Sequence, residues 1–125
     1  MSLQALEHQK YVSVTTYRSN GAKVSTPVWF VLEGERVYVW TDADSGKVRR
    51  LRSNPQLALA PCRMNGDPIG PSVEGTASIS KDDSSPELRS AFRSKYGLVL
   101  RLSKLFTGRG HKQVFLEISP TPTSA

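Results

Sequence analysis

Lys23-Val-Ser-Thr-Pro-Val-Trp-Phe-Val-Leu32 is the stretch that decides the fold. Its β-branched and aromatic residues have the composition and length of a strand. Pro27 sits inside it, and a proline cannot donate to a ladder, so the strand belongs at a sheet edge or carries a bulge. An alternative is that the interruption frees neighbouring backbone groups to meet a flat ligand. Upstream, Tyr11-Val-Ser-Val-Thr-Thr-Tyr17 is a second strand, and Asn20-Gly21 supplies the turn of a hairpin. Downstream, Glu33-Gly34-Glu35 turns into a third strand, Val37-Tyr-Val-Trp-Thr41.

Beyond these strands, Asp42 to Gly46 is a polar loop, and Lys47 to Ser53 reads as two helical turns ended by Asn54-Pro55. Strands are expected over 57–64 and 73–79, separated by a loop holding Gly66, Pro68, Gly70 and Pro71. Ser84-Ser-Pro-Glu87 has the spacing of a capping box with proline in the first turn. The helix it opens carries Leu88, Ala91 and Phe92 on one face and breaks at Gly97. A second helical piece spans 98–106, and a closing strand spans 111–118. Early connections this short exclude parallel crossovers, so the expectation is mainly β: an antiparallel six-stranded barrel with short helices at its edge. Residues 1–125 form one domain, with 119–125 a flexible tail. Apolar residues of the second to fourth strands lack an internal partner in this scheme, which predicts a homodimer.

Hydrophobic residues make up 38% and charged residues 22% of the 125, the balance of a folded domain. Cys62 is the only cysteine, which excludes an internal disulfide and a cysteine-based zinc site; it reads as a small core residue. No metal site is expected. The longest apolar run, Val28 to Leu32, is far short of the roughly 20 residues of a membrane span. No signal-peptide pattern follows Met1, so the expected location is cytoplasmic. Net charge is +6 and unevenly placed. Residues 1–87 carry ten basic and ten acidic side chains, whereas 88–116 carry seven basic residues and no acid. That asymmetry points to an anionic partner.

Ser45-Gly-Lys-Val-Arg-Arg-Leu-Arg52 concentrates the chemistry. A helix starting near Gly46 offers free N–H groups and a positive dipole end to an anion. Ser45 adds a hydroxyl, Lys47 a charge, and Arg50 shares its face at i,i+3 spacing, while Val48 and Leu51 point inward. The competing interpretation is a solvated basic helix. Gly-x-Gly-x-x-Gly and Walker-type loops are absent. Trp29 and Trp40 are barrel-wall aromatics, or one of them covers a cofactor ring.

Taken in order, Val24-Ser-Thr-Pro-Val-Trp-Phe-Val-Leu32, Val37 to Thr41, Ser45-Gly-Lys-Val-Arg-Arg-Leu-Arg-Ser-Asn-Pro55 and Val73-Glu-Gly-Thr-Ala77 resemble the split β-barrel flavin and deazaflavin family. That family includes pyridoxamine 5′-phosphate oxidase and relatives that use coenzyme F-420. The resemblance implies an FMN-binding, pyridoxamine phosphate oxidase-like split barrel and a homodimer with cofactor sites at its interface. It implies that Thr41, Ser45 and Lys47 match the family's phosphate-binding positions, with Gly46 and the helix-face Arg50 counted among the cofactor-binding residues, and that the backbone of Thr26, Pro27, Val28 and Trp29 lies along the ring. Thr26 and Gly46 stand where the oxidases carry arginines, and the oxidases' C-terminal tryptophan and arginine segment is missing. The pattern is therefore most similar to the deazaflavin branch, whose coenzyme carries a phosphate and a glutamate tail suited to the basic C-terminal third.

The implied activity is hydride transfer from reduced coenzyme F-420 to a small organic acceptor, with the cofactor supplying the redox chemistry. The alternatives are an FMN-binding oxidoreductase of the same fold and a coenzyme-binding protein without turnover. Nucleic-acid or membrane-surface association through 98–106 is not expected, because its apolar residues are needed to plug the barrel end. No motif encodes the acceptor, and no side chain is assigned a catalytic role.

Overall fold

The computed structural model describes residues 6–102 and 112–121. Seven strands and two helices follow one another along them: β1 (Tyr11–Tyr17), β2 (Lys23–Val28), β3 (Phe30–Glu33), β4 (Arg36–Asp42), α1 (Gly46–Ser53), β5 (Gln56–Cys62), β6 (Val73–Ile79), α2 (Pro86–Leu102) and β7 (Gln113–Pro120). The strands form one antiparallel sheet in the order β2-β1-β5-β6-β7-β4-β3.

β2 and β3 are the two outer strands of this sheet, yet only Trp29 separates them in the chain. Two trans peptide steps bring Val28 and Phe30 to within about 7.6 Å. The opposite edges must therefore meet, and the sheet curls into a half-barrel. The count of six strands is corrected to seven for this reason: the expected strand over 23–32 is split at Trp29. Pro27 lies in an edge strand, where its missing donor costs nothing.

Curling gives the sheet an inner and an outer face. Val12, Val14, Phe30, Val37, Val39, Leu57, Leu59, Leu116 and Ile118 fill the inside, and α1 adds Val48 and Leu51. Outside, α2 lays Phe92 and Tyr96 over Val31 and Phe115, with Trp29, Tyr38, Trp40, Leu88 and Ala91 around them. This corrects the reason given for a dimer, since the outward apolar residues of β3 and β4 already have α2 as an internal partner. The middle of the outer face of β1, β2 and β5 carries small side chains instead, Ser13, Thr15, Ser25, Ala58 and Ala60, with Tyr11 and Tyr17 at the two ends of β1.

Two local expectations also change. Ser85, not Ser84, caps α2 by accepting the Leu88 N–H, because the Asp82 carboxylate already engages the Ser84 N–H and hydroxyl. The break expected at Gly97 is present: at φ 51° and ψ −124° it is non-helical and divides α2 into two helical pieces. Ser119 and Pro120 pair with Thr76 and Gly75, and the Thr121 N–H donates to the Glu74 carbonyl, so the tail is pinned through 121. The expected helical segment over 103–106 and the tail residues 122–125 lie outside the described residues.

At the seam between the two edges, α2 supplies the hydrogen bonds that no strand can. The Phe30 N–H donates to Tyr96 Oη at 2.8 Å, and that oxygen lies 2.9 Å from both the Lys10 and the Phe30 carbonyl oxygens. Lys95 Nζ donates to the same Phe30 carbonyl at 2.9 Å. Burial pushes the Tyr96 phenol well above its ordinary value, so it stays protonated and keeps its hydrogen to donate. Tyr96→Phe leaves a buried N–H unpaired and should lower unfolding free energy by about 1–3 kcal/mol. Urea denaturation should show the midpoint falling with an unchanged slope. Tyr38→Phe, which removes a 3.3 Å bond to the partly exposed Glu117, should change it far less.

Candidate functional site

Strand β4 ends in Thr41-Asp42, and three residues later the chain enters α1. Ser45 is the N-cap, extended at φ −65° and ψ 155°, with its hydroxyl accepting the Val48 N–H at 3.4 Å. The first turn of α1 contains no acid but does contain Lys47, a cation at the positive end of the helix dipole. Nothing within the helix offsets that potential.

Arg50 adds a second cation by folding back toward the same end. Its Nε donates to Thr16 Oγ1 at 2.7 Å, and Thr16 is fully buried on the inner face of β1. A Cβ at Gly46 would lie 2.8 Å from Arg50 Nη1, so the guanidinium occupies the space that a side chain at 46 would take. A side chain at 46 would push the guanidinium aside, so glycine leaves room for it and is not set here by a backbone angle. Lys47 and Arg50 have no carboxylate within ion-pair distance among the described residues. Loss of water pushes the Lys47 ammonium below its ordinary range; Asp42 opposes this, and Arg50 adds to it. The Asp42 carboxylate also accepts a hydrogen bond from Gln113 Nε2.

Thr26 faces the inside of the sheet opposite Val14, two residues along β1 from Thr16. Diagonal neighbours of this kind lie about 7–8 Å apart. Its Oγ1 is buried and has no hydrogen-bond partner. Thr41 is buried on the inner face of β4. The fold thus gathers Ser45, Gly46, Lys47 and Arg50 with Thr16, and turns Thr26 toward the same interior.

The other expected site residues diverge from one another. Val28 packs into the inner core. Pro27 faces the other side of β2, toward Gly66. Trp29 stacks on Tyr96, with ring centroids 4.6 Å apart and planes 14° from parallel. Trp40 donates from Nε1 to Asp83 at 3.0 Å and packs against Phe92 and Phe115. Both indoles therefore belong to the layer under α2. Thr16 is the residue that sequence reasoning missed. It continues the inward row Val12, Val14 with a polar group, which is the signal that could have found it.

Part of the basic C-terminal third lies elsewhere. Arg89 pairs with Asp83 at 2.9 Å and covers Trp40 from α2. Lys112 is adjacent to the loop, since its carbonyl accepts the Ala43 N–H at 2.9 Å. Lys104 and Arg109 lie outside the described residues, as does the side chain of Arg101. Among the described residues, no three His, Cys, Asp or Glu side chains cluster as metal ligands, and no helix is long and apolar enough to cross a membrane.

Residues 2–121 match the protein family described as pyridoxamine 5′-phosphate oxidase. Among solved structures, an F-420 reductase is similar over 98% of this chain and 95% of its own, at 23% identity and a TM-score of 0.70. A FAD-binding protein from Mesorhizobium loti is similar over 95% and 84%, at 13% identity and a TM-score of 0.67. A putative pyridoxamine 5′-phosphate oxidase from Listeria innocua is similar over 96% and 90%, at 18% identity and a TM-score of 0.66. No curated protein matches the chain. At these identities the structural likeness establishes a shared fold.

Thr16→Val should release Arg50 from its folded-back position at a cost of about 1 kcal/mol in stability. Gly46→Ala should displace the same guanidinium by contact while leaving the hydroxyl in place. Proton–nitrogen NMR of the arginine side chains should show one slowly exchanging Nε–H that is lost in both variants. Retention of that signal in Thr16→Val would contradict the positioning role.

Proposed function

Because the chain belongs to the pyridoxamine 5′-phosphate oxidase family, we propose that it is an oxidoreductase that binds coenzyme F-420 and reduces a small organic acceptor. The observation that carries this is the unpaired Lys47 and Arg50 held together at the amino end of α1. A phosphate supplies the counter-charge they lack, with charge-assisted bonds from a guanidinium held in place beforehand. The buried, unpartnered hydroxyl of Thr26 fits the same group, since a bound ligand would satisfy it. The 23%-identical F-420 reductase lends further support.

Ser45, Gly46, Lys47, Arg50 and Thr41 would surround the phosphate. Strand β2 pairs on one side only, which leaves alternate backbone groups along Thr26–Val28 facing away from the sheet, where they would meet a planar ring. A deazaflavin bound there supplies two-electron hydride transfer to the acceptor. The chain's own part is to orient the ring and keep water from it. Trp29 and Tyr96 anchor the end of that strand and would hold its backbone in place for the ring. Lys112, beside the loop, begins a basic approach for an acidic tail. A cytoplasmic location belongs to the same proposal, in keeping with a lone buried thiol.

One observation favours FMN as a second reading. The guanidinium of Arg50 lies over Gly46, where the oxidases carry an arginine, so one of the two donors that seemed lost is returned from the next turn. Titration of the purified protein with coenzyme F-420 and FMN, followed by fluorescence, separates the two. Tighter binding of the deazaflavin, weakening with salt and strengthening with tail length, is expected. Nanomolar FMN affinity would overturn it. Mixing the loaded reduced protein with candidate acceptors distinguishes turnover from storage.

Lys47→Ala should weaken cofactor binding ten- to hundredfold, about 1.5–3 kcal/mol, while the exposed Arg49→Ala should have little effect. Only protonated Lys47 pairs with phosphate, and its proton leaves at a lower pH than an ordinary lysine's. Affinity should therefore fall as pH rises, beginning below the usual lysine range, and Lys47→Ala should flatten that fall.

The small-residue face of β1, β2 and β5 is proposed as the seat of a second copy of the chain. No described helix covers it, and exposed Met64 and Ile69 follow β5 in the next loop. Sedimentation should give a dimer at micromolar concentration, with an interface above about 2,000 Å² in total. Thr15→Arg on that face should shift it to monomer, and a wild-type monomer would contradict the assignment.

A further inference from the structure

A groove of about 550 Å³ runs between α2 and β3, and no residue of the cation cluster at α1 lines it. Val31, Leu32 and Ala91 line it with apolar surface, Glu7 and Glu33 contribute carboxylates, and Lys95 carries its only described amine. Lys95 Nζ donates to the Phe30 carbonyl at 2.9 Å and lies 3.5 Å from the centroid of the Phe30 ring. The Tyr96 ring centroid is 5.4 Å away. The charged groups that face this nitrogen are few. Glu7 and Glu33 share the groove, but no carboxylate lies within ion-pair distance of Lys95 among the described residues. Tyr96 is held protonated by burial, so it contributes no charge.

Such an ammonium has given up water for one carbonyl and two ring faces, with no counter-ion. The carbonyl and the rings favour the charged form, but loss of hydration outweighs them and brings Lys95 down to about 8. At pH 7 roughly a tenth of the groups are then neutral, against about one in three thousand for an ordinary lysine. A neutral amine still has an N–H for the Phe30 carbonyl while its lone pair is free for an electrophile.

We propose that Lys95 is a nucleophilic amine and that its groove is an acylation site for short acyl groups delivered as thioesters. In the step, neutral Nζ attacks the thioester carbonyl, the C–N bond forms, the C–S bond breaks, and the departing thiolate takes the proton that nitrogen sheds. Nothing is oxidised or reduced. The amide product keeps one N–H for the Phe30 carbonyl, and its alkyl end meets Val31, Leu32 and Ala91. Acylation also removes a half-buried charge from the seam that Lys95 and Tyr96 close, which couples the modification to how α2 is held on the sheet.

The test treats the full-length protein with the acetyl thioester of N-acetylcysteamine across pH 6.5–10 and follows each lysine by peptide mass spectrometry. Lys95 should be acetylated at least about tenfold faster than the exposed Lys23 and Lys81 at pH 7, with a rate that levels off above about pH 8. Lys95→Arg should abolish the fast phase and leave the slow labelling unchanged. Adding coenzyme F-420 or FMN should protect Lys47 but not Lys95, which keeps this site separate from the cofactor proposal. Labelling of Lys95 no faster than Lys23, or a Lys95 rate still climbing at pH 9.5, overturns the assignment.

Discussion

One residue, Trp29, joins the two opposite edges of a seven-stranded sheet, and the rest of the molecule follows from that constraint. A flat sheet of this order would hold β2 and β3 many strand spacings apart. Neighbouring strands lie about 4.7–4.9 Å apart, so six spacings have to be closed by curvature. The closure leaves Phe30 with backbone groups that no strand reaches. Tyr96 and Lys95 meet them from α2, and stacking of Trp29 on Tyr96 ties the joint to the same helix.

Curvature then divides the hydrophobic residues into two layers with different roles. The inner layer is built by alternation along every strand and plugged by α1. Because α1 contributes only Val48 and Leu51 inward, its remaining residues are free to carry charge at the rim. The outer layer is aromatic and belongs to α2. Phe92, Tyr96, Trp29, Trp40 and Phe115 pack as one cluster, and Arg89 and Asp83 close it around Trp40. The helix therefore does two things at once: it covers an apolar face and supplies polar atoms to the seam.

The cation cluster owes its geometry to residues distant in sequence. Two cations at a helix start repel each other and the dipole, and only an external hold keeps them together. Thr16 provides it from β1, thirty-four positions away, and the missing side chain at Gly46 provides the room. Like charges held this close destabilise the protein slightly, a cost that the proposed anionic ligand would offset.

Most of the strand pattern was legible in the sequence by itself, because alternation and turn residues act locally. Tyr11–Tyr17, the Asn20-Gly21 turn, the Lys47–Ser53 helix and the inward Val48 and Leu51 were all readable from neighbours a few positions apart, and the ordered motifs around Pro27 and Ser45 pointed to the family. Tertiary structure alone decided three further matters. Lys23–Leu32 looked like one strand, since nothing local marks Trp29 as a crossing between sheet edges. Gly46 looked like a lost arginine, since sequence does not tell that Arg50 folds back over it. Lys95 looked like one of the seven basic residues of 88–116, and only the packing of α2 on Phe30 strips its water and sets it apart. In each case periodicity records which face a residue takes, whereas the partner it meets there depends on how the sheet closes.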